Sequence, residues 1–515
     1  MAGLKKLRLW HVIAALAVLL AGALLTSALL TRVIPADWQH DAPPPAELLA
    51  EAQGLDSYVM ELTYGNQNRT LKGSLRVVYI APEDGIEEVV FHLYPNAFAE
   101  QDTLPVTDLS IEEAYPIGFN PGKISLADIR LDGALAAYGV SGPAQDILHI
   151  PTESALRAGQ RVEITMTLEV LVPYNYFRFG ANPISVNLCN FYPQLAMYEK
   201  GEWRTDAYTP IGDPFYAACA NYSVTLHADA TYAVAASGSI VHQETADGVA
   251  TWHMQASAMR DFAMVLARDV QVSSKTVAGV TIYSYWHSRN SGMAALDAAA
   301  VAMEDFVRRF GPYPYATYRV MEAGVSFTGM EYPGLSLINS DLYNSTNREA
   351  LVYTVTHETA HQWFYGVVGS DQIRAPWLDE SLTEYAAITA LANARGARMG
   401  TRLWDQHTDN YNLTARLLPD GLDRVSGRID AAITDYPDEL IYGALVYNKG
   451  GLMLRELAEE IGPMRMDAVL RDYVAQNRLG HGTKASLLAC LATHTQSDYT
   501  DWLNRKLNPT VYING

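Results

Sequence analysis

From about Leu55 to Asp269 apolar residues recur at every second position. Leu71-Lys72-Gly73-Ser74-Leu75-Arg76-Val77 is one such run. Val162, Ile164, Met166, Leu168 and Val170 alternate with polar residues in another, and Tyr222, Val224 and Leu226 repeat the pattern. Clusters of Gly, Pro and Asp separate the runs. Period 2 with turn punctuation predicts an all-β region, antiparallel and sandwich-like. After about residue 285 the period changes. Leu296, Ala299, Ala300, Met303, Phe306, Val307 and Phe310 follow helical spacing, and Gly311-Pro312 stops that helix. A short β-like stretch, Tyr318 to Ile338, comes next. Ala350 to Tyr365 then reads as a continuous helix with apolar Leu351, Val355 and Trp363, and Trp377 to Tyr385 opens a second. Two further helices are expected, one around Leu452, Leu454, Leu457 and Ile461 and one over Met466 to Val474.

The amino-terminal end breaks both patterns. Val12 to Leu30 is an uncharged run of nineteen residues, preceded by Lys5, Lys6 and Arg8 and closed by Arg32. That length spans a hydrocarbon core of about 30 Å as a helix. The basic flank favours a cytoplasmic amino terminus. The run is therefore expected to be an uncleaved single-pass anchor in the cell membrane, with the rest of the chain extracytoplasmic. A cleaved signal peptide is the competing reading. The expected division is 1–33 basic tip and anchor, 34–54 spacer, 55–270 β-sandwich domain and 271–515 catalytic domain. The spacer assignment rests on Pro43-Pro44-Pro45 among mixed polar residues.

With 515 residues, an apolar fraction of 49% and a net charge of −20, the chain can bury large cores and is a poor nucleic-acid binder. Three Cys make no disulfide framework; Cys189 and Cys219 either pair or are small buried apolar residues.

The candidate chemistry is concentrated in His357-Glu358-Thr359-Ala360-His361, followed after eighteen intervening residues by Glu380. Positions i and i+4 share a helix face, so both imidazoles can point at one ion. Two His and one carboxylate with an open fourth position form the ligand set of a catalytic zinc site. Glu358, beside a ligand, is placed to act as general base on a zinc-activated water. Two weaker candidates flank this motif. In Gly329-Met330-Glu331-Tyr332-Pro333-Gly334, Glu331 could hold a substrate's free amino group by charge pairing. Read locally, the same segment is an ordinary turn with an exposed Glu. Tyr447, in Tyr447-Asn448-Lys449-Gly450, could donate to an oxyanion, or could simply pack one end of a helix. Tyr442 is a weaker alternative, and Glu384 reads as a solvated or supporting carboxylate.

Taken together, these motifs resemble the aminopeptidase N-like gluzincin family. The resemblance is carried by the zinc motif and its spacing, by Trp377-Leu378-Asp379-Glu380-Ser381 where the family has Trp-Leu-Asn-Glu-Gly, and by His361-Gln362-Trp363-Phe364. The family's Gly-x-Met-Glu-Asn motif maps onto Gly329, Met330 and Glu331, and its catalytic Tyr before x-Lys-Gly maps onto Tyr447. The resemblance implies a mixed β and α+β chain: a saddle-shaped antiparallel β-sandwich domain, then a thermolysin-like zinc peptidase domain. It also implies one Zn2+ on His357, His361 and Glu380, with catalytic Glu358 and Tyr447 and substrate binding by Glu331, Gly329 and Met330. Two departures are Tyr332 in place of Asn, and Thr328 two residues before Met330. The large helical carboxy-terminal domain of many members is also expected to be absent, and with it a more open site accepting longer peptides is expected. The expected function is a membrane-anchored zinc aminopeptidase acting on peptides with a free amino terminus. A zinc endopeptidase without amino-terminal selection and a non-catalytic binding protein are the rivals.

Overall fold

The computed structural model describes residues 32–34 and 40–509. The expected anchor over Val12 to Leu30 lies outside them. Among the described residues no helix is long and apolar enough to cross a membrane.

The β region is built around an eight-stranded sheet, with two four-stranded sheets and a small hairpin beside it. Alternation sets its inner face. In Arg161–Leu171, Val162, Ile164, Met166, Leu168 and Val170 are all buried. Register aligns these positions across strands, so Met60, Leu75 and Met166 form one apolar row. The antiparallel expectation fails at one pair: Ala220–Asp229 runs parallel to Ser57–Gly65. No tight turn joins these two strands, so the reversal a hairpin imposes does not apply to them.

A six-stranded mixed sheet follows. Gln271–Val277 and Val280–Trp286 form a hairpin; Thr317–Ala323 and Leu335–Asn339 extend it in parallel, and Gly329–Met330 is an antiparallel edge strand. The helix Arg289–Phe310 makes the crossover between the first parallel pair. Helices Arg348–Ala360 and Trp377–Arg395 pack on it and on each other, and Gly450–Ile461, Pro463–Gln476 and Lys484–Thr495 complete the helical layer.

Two expectations are corrected. Residues 40–54 of the stretch read as a spacer are folded onto the molecule. Arg32–Ile34 pairs with the Gln271–Val277 strand, and the helix Ala46–Glu51 buries Leu48. Asp41 ion-pairs with fully buried Arg319, which explains its burial, since an unpaired guanidinium there would be costly. The zinc-motif helix ends at Ala360, not Tyr365. Beyond it three successive backbone bonds skip five residues, Gly366 to His361, Val367 to Gln362 and Val368 to Trp363, so the turn widens. Of the two readings left open for the cysteines, the structure has the buried apolar one: Cys189, Cys219 and Cys490 are free and buried.

Candidate metal and catalytic site

The helix Arg348–Ala360 is seated by buried Leu351 and Val355. Its buried hydroxyls are satisfied within the helix, Thr356 donating to the Val352 carbonyl at 2.7 Å and Thr359 to that of Val355 at 2.6 Å. His357 lies in its last turn and His361 caps it. The helix Trp377–Arg395 enters after Pro376, with Asp379 and Glu380 in its first turn, where carboxylates complement the helix dipole. This brings three ligand atoms together. The two Nε2 atoms are 3.1 Å apart, and Glu380 Oε2 is 3.4 Å from that of His357 and 3.3 Å from that of His361. A tetrahedral ion with bonds of about 2.0–2.1 Å needs edges of about 3.3–3.4 Å, so the spacing fits zinc. Glu380 Oε2 is also buried without a hydrogen-bond partner, as a vacant ligand atom would be.

A supporting carboxylate orients the His361 imidazole, and a second stands beside His357. His361 Nδ1 lies 2.8 Å from Asp379 Oδ1, and Gln372 holds the other oxygen of Asp379. This turns the Nε2 lone pair of His361 inward. On the other side Glu384 is buried, not solvated. It accepts from the Tyr353 hydroxyl, lies 3.2 Å from His407 Nε2, and stands 3.6 Å from His357 Nδ1. Burial opposes charge on Glu380, but the two imidazoles outweigh it and hold its carboxyl well below the usual range.

Glu358 points into the same space. Burial pushes its carboxyl up against the pull of both histidines. Gly329 explains how the edge strand comes so close: a Cβ there would fall 2.2 Å from Glu358 Oε1. Met330 is buried in the apolar cluster around Leu337 and Tyr332, so its side chain packs the core.

Glu331 is buried, which overturns the local reading of an exposed turn residue. Its carboxylate clusters with those of Asp213 and Glu380, ligand oxygens lying within 4.8 Å of one another. Asp213 comes from the β region, paired at 2.6 Å to Arg178. Neither residue was singled out from the sequence, because Gly212-Asp213-Pro214 looks like plain turn punctuation.

Tyr447 sits in a π-helical segment, Gly443–Lys449, its ring 5.9 Å from that of His357 and nearly parallel to it. Such widened turns recur at functional sites. Ser381, the neighbour of Glu380, donates to the carbonyl of Val446, the neighbour of Tyr447, at 2.6 Å. That bond ties the phenol's segment to the metal-ligand helix. Burial and the Glu380 carboxylate push the Tyr447 phenol well above its ordinary range, so it remains a donor. Tyr442 packs edge-on against Tyr447 and is buried. Tyr447→Phe is expected to lower kcat by about 10²–10³ with little change in KM, because a bond made chiefly to the oxyanion matters most in the transition state. Steady-state kinetics check this; a change confined to KM would make Tyr447 a packing or binding residue.

The mixed sheet and the paired helices thus bring together a two-His, one-Glu ligand cluster with an adjacent carboxylate, the arrangement a catalytic zinc site requires. Residues 294–505 match the peptidase family M1 domain. Aminopeptidase M1-B of Oryza sativa subsp. japonica is 25% identical over 269 residues, covering 47% of this chain and 29% of that protein. Aminopeptidase N of Lactobacillus delbrueckii subsp. lactis is 26% identical over 270 residues, covering 48% and 31%. The crystal structure of the M1 zinc metallopeptidase from Deinococcus radiodurans superposes with a TM-score of 0.61 at 16% identity, covering 88% of this chain and 93% of that one. The M1 match covers the stretch of the chain that holds the ligand cluster and Tyr447. The chain spans about a third of the length of the curated relatives it matches.

Proposed function

We propose that the chain is a zinc aminopeptidase that removes residues from the free amino terminus of peptides, using one zinc ion held by His357, His361 and Glu380. The observation that carries this reading is Glu331. It is 3% exposed, and its Oε1 has no hydrogen-bond partner. Burial pushes its carboxyl well above the ordinary range, a cost that pairing with a substrate's ammonium would offset. The names of the relatives as aminopeptidases, and a structural neighbour solved with a Tyr-Ser-Ala substrate, agree with it.

Zinc in this ligand set would supply Lewis acidity, making a water acidic and polarising the scissile carbonyl. The chain's own residues do the rest. Glu331 holds the ammonium, which fixes the first peptide bond beside the ligand cluster. Glu358 takes the proton of the attacking water and delivers it to the leaving amine. Tyr447 donates to the oxyanion. Asp379 keeps the His361 imidazole turned toward the ligand cluster, and Glu384 places a negative charge beside His357.

The test compares free with N-acetylated peptides. Acetylation removes the charge and adds bulk at Glu331, so blocked peptides should be rejected. Glu331→Ala should lower kcat/KM on free-amine peptides roughly ten- to a hundred-fold and leave zinc content unchanged. Efficient internal cleavage of blocked peptides would favour the zinc endopeptidase reading. Membrane anchoring through Val12 to Leu30, with the catalytic part extracytoplasmic, belongs to the same proposal and is supported by the sequence pattern; recovery of the full chain in the soluble fraction after lysis would remove it.

A further inference from the structure

Because Glu331 Oε1 has no partner, no side-chain contact fixes that oxygen before substrate arrives. Its place is set through the backbone that follows. Tyr332 is fully buried, and its hydroxyl donates to Asn190 Oδ1 of the β region at 2.7 Å. Asn190 Nδ2 donates in turn to Asp261 Oδ2 at 2.8 Å. The other Asp261 oxygen accepts from the Tyr192 hydroxyl at 3.0 Å and from the Phe262 N–H at 2.7 Å. All four polar side chains are buried, so each bond in the chain is costly to break. From the opposite side Gln362, next to the ligand His361, donates to the Tyr332 carbonyl at 3.2 Å and accepts from the Gly334 N–H at 2.8 Å. The turn after Glu331 is thus clamped between the zinc-motif segment and the β region.

We propose that the chain Asp261–Asn190–Tyr332 is a positioning device for amine recognition, through which the β region sets where the Glu331 carboxylate stands. The proposal rests on Glu331 being the amine acceptor. Phenylalanine at 332 would fill the same space while cutting the link and leaving Asn190 Oδ1 short of a donor.

The test uses two competitive inhibitors with the same hydroxamate group, an amino-acid hydroxamate and its desamino counterpart, against the zinc-loaded enzyme. Their Ki ratio reads amine recognition separately from metal binding. The wild type should favour the amine-bearing compound. Tyr332→Phe should reduce that preference about tenfold, with zinc content and the desamino Ki unchanged. Asn190→Ala should reproduce the loss. In a Glu331→Gln background the same tyrosine change should leave the ratio unmoved. A purely structural role would weaken both inhibitors together, and that result would overturn the proposal. So would a wild-type preference that Tyr332→Phe leaves intact. A wild type with no preference overturns the amine reading itself, and this inference with it.

Discussion

Glu358→Gln is expected to keep its zinc and lose turnover by a factor of at least about 10²–10⁴. The amide is nearly isosteric and fits the space beside Gly329, but it cannot accept a proton. Glu358 is close to the ligand cluster without belonging to it: the three converging ligand atoms come from His357, His361 and Glu380. Metal analysis paired with a peptide assay separates the two effects. Near-normal activity in a zinc-loaded variant would show that another group is the base.

Glu380→Ala is expected to lose the metal, and activity with it. Two imidazoles alone leave the coordination incomplete. Glu384 is no substitute, since it lies on the Nδ1 side of His357, where Tyr353 and His407 occupy it. Zinc stoichiometry after dialysis is the measurement. Full retention would move the third ligand to Asp213 or Glu331, the other carboxylates crowded at the site.

The parts of this site that were legible in the sequence are those governed by local geometry. Helical spacing is enough to bring His357 and His361 to one face, and alternation is enough to find the inner row Val162, Ile164 and Met166. Features set by distant partners were not legible. Asp41 looks like spacer because the residue that buries it, Arg319, is 278 positions away. Glu331 looks exposed because only the folded sheet edge and the β region cover it. Asp213, Asn190 and Asp261 carry no spacing signal, since each reaches the site from a separate turn or strand end of the β region. Ser381 stands where the family has Gly, and its bond to the Val446 carbonyl depends on a helix that begins some sixty residues further along the chain. The early end of the zinc-motif helix was missed for a related reason: apolar periodicity continues through Trp363 while the backbone bonding changes.

The π-helical stretch Gly443–Lys449 couples two things that would otherwise vary independently. Each residue of an α-helix advances the chain by about 100°, so one residue more or fewer in this stretch would rotate Gly450–Ile461 relative to the Tyr447 ring. That helix is locked in phase, because Gly450 abuts Ser381 so closely that a Cβ would fall 2.0 Å from its hydroxyl oxygen. The azimuth of the oxyanion donor is therefore a matter of residue count. Side chains along the stretch are free to drift within their packing limits, whereas a single insertion or deletion would force a choice between aiming the phenol and seating the helix.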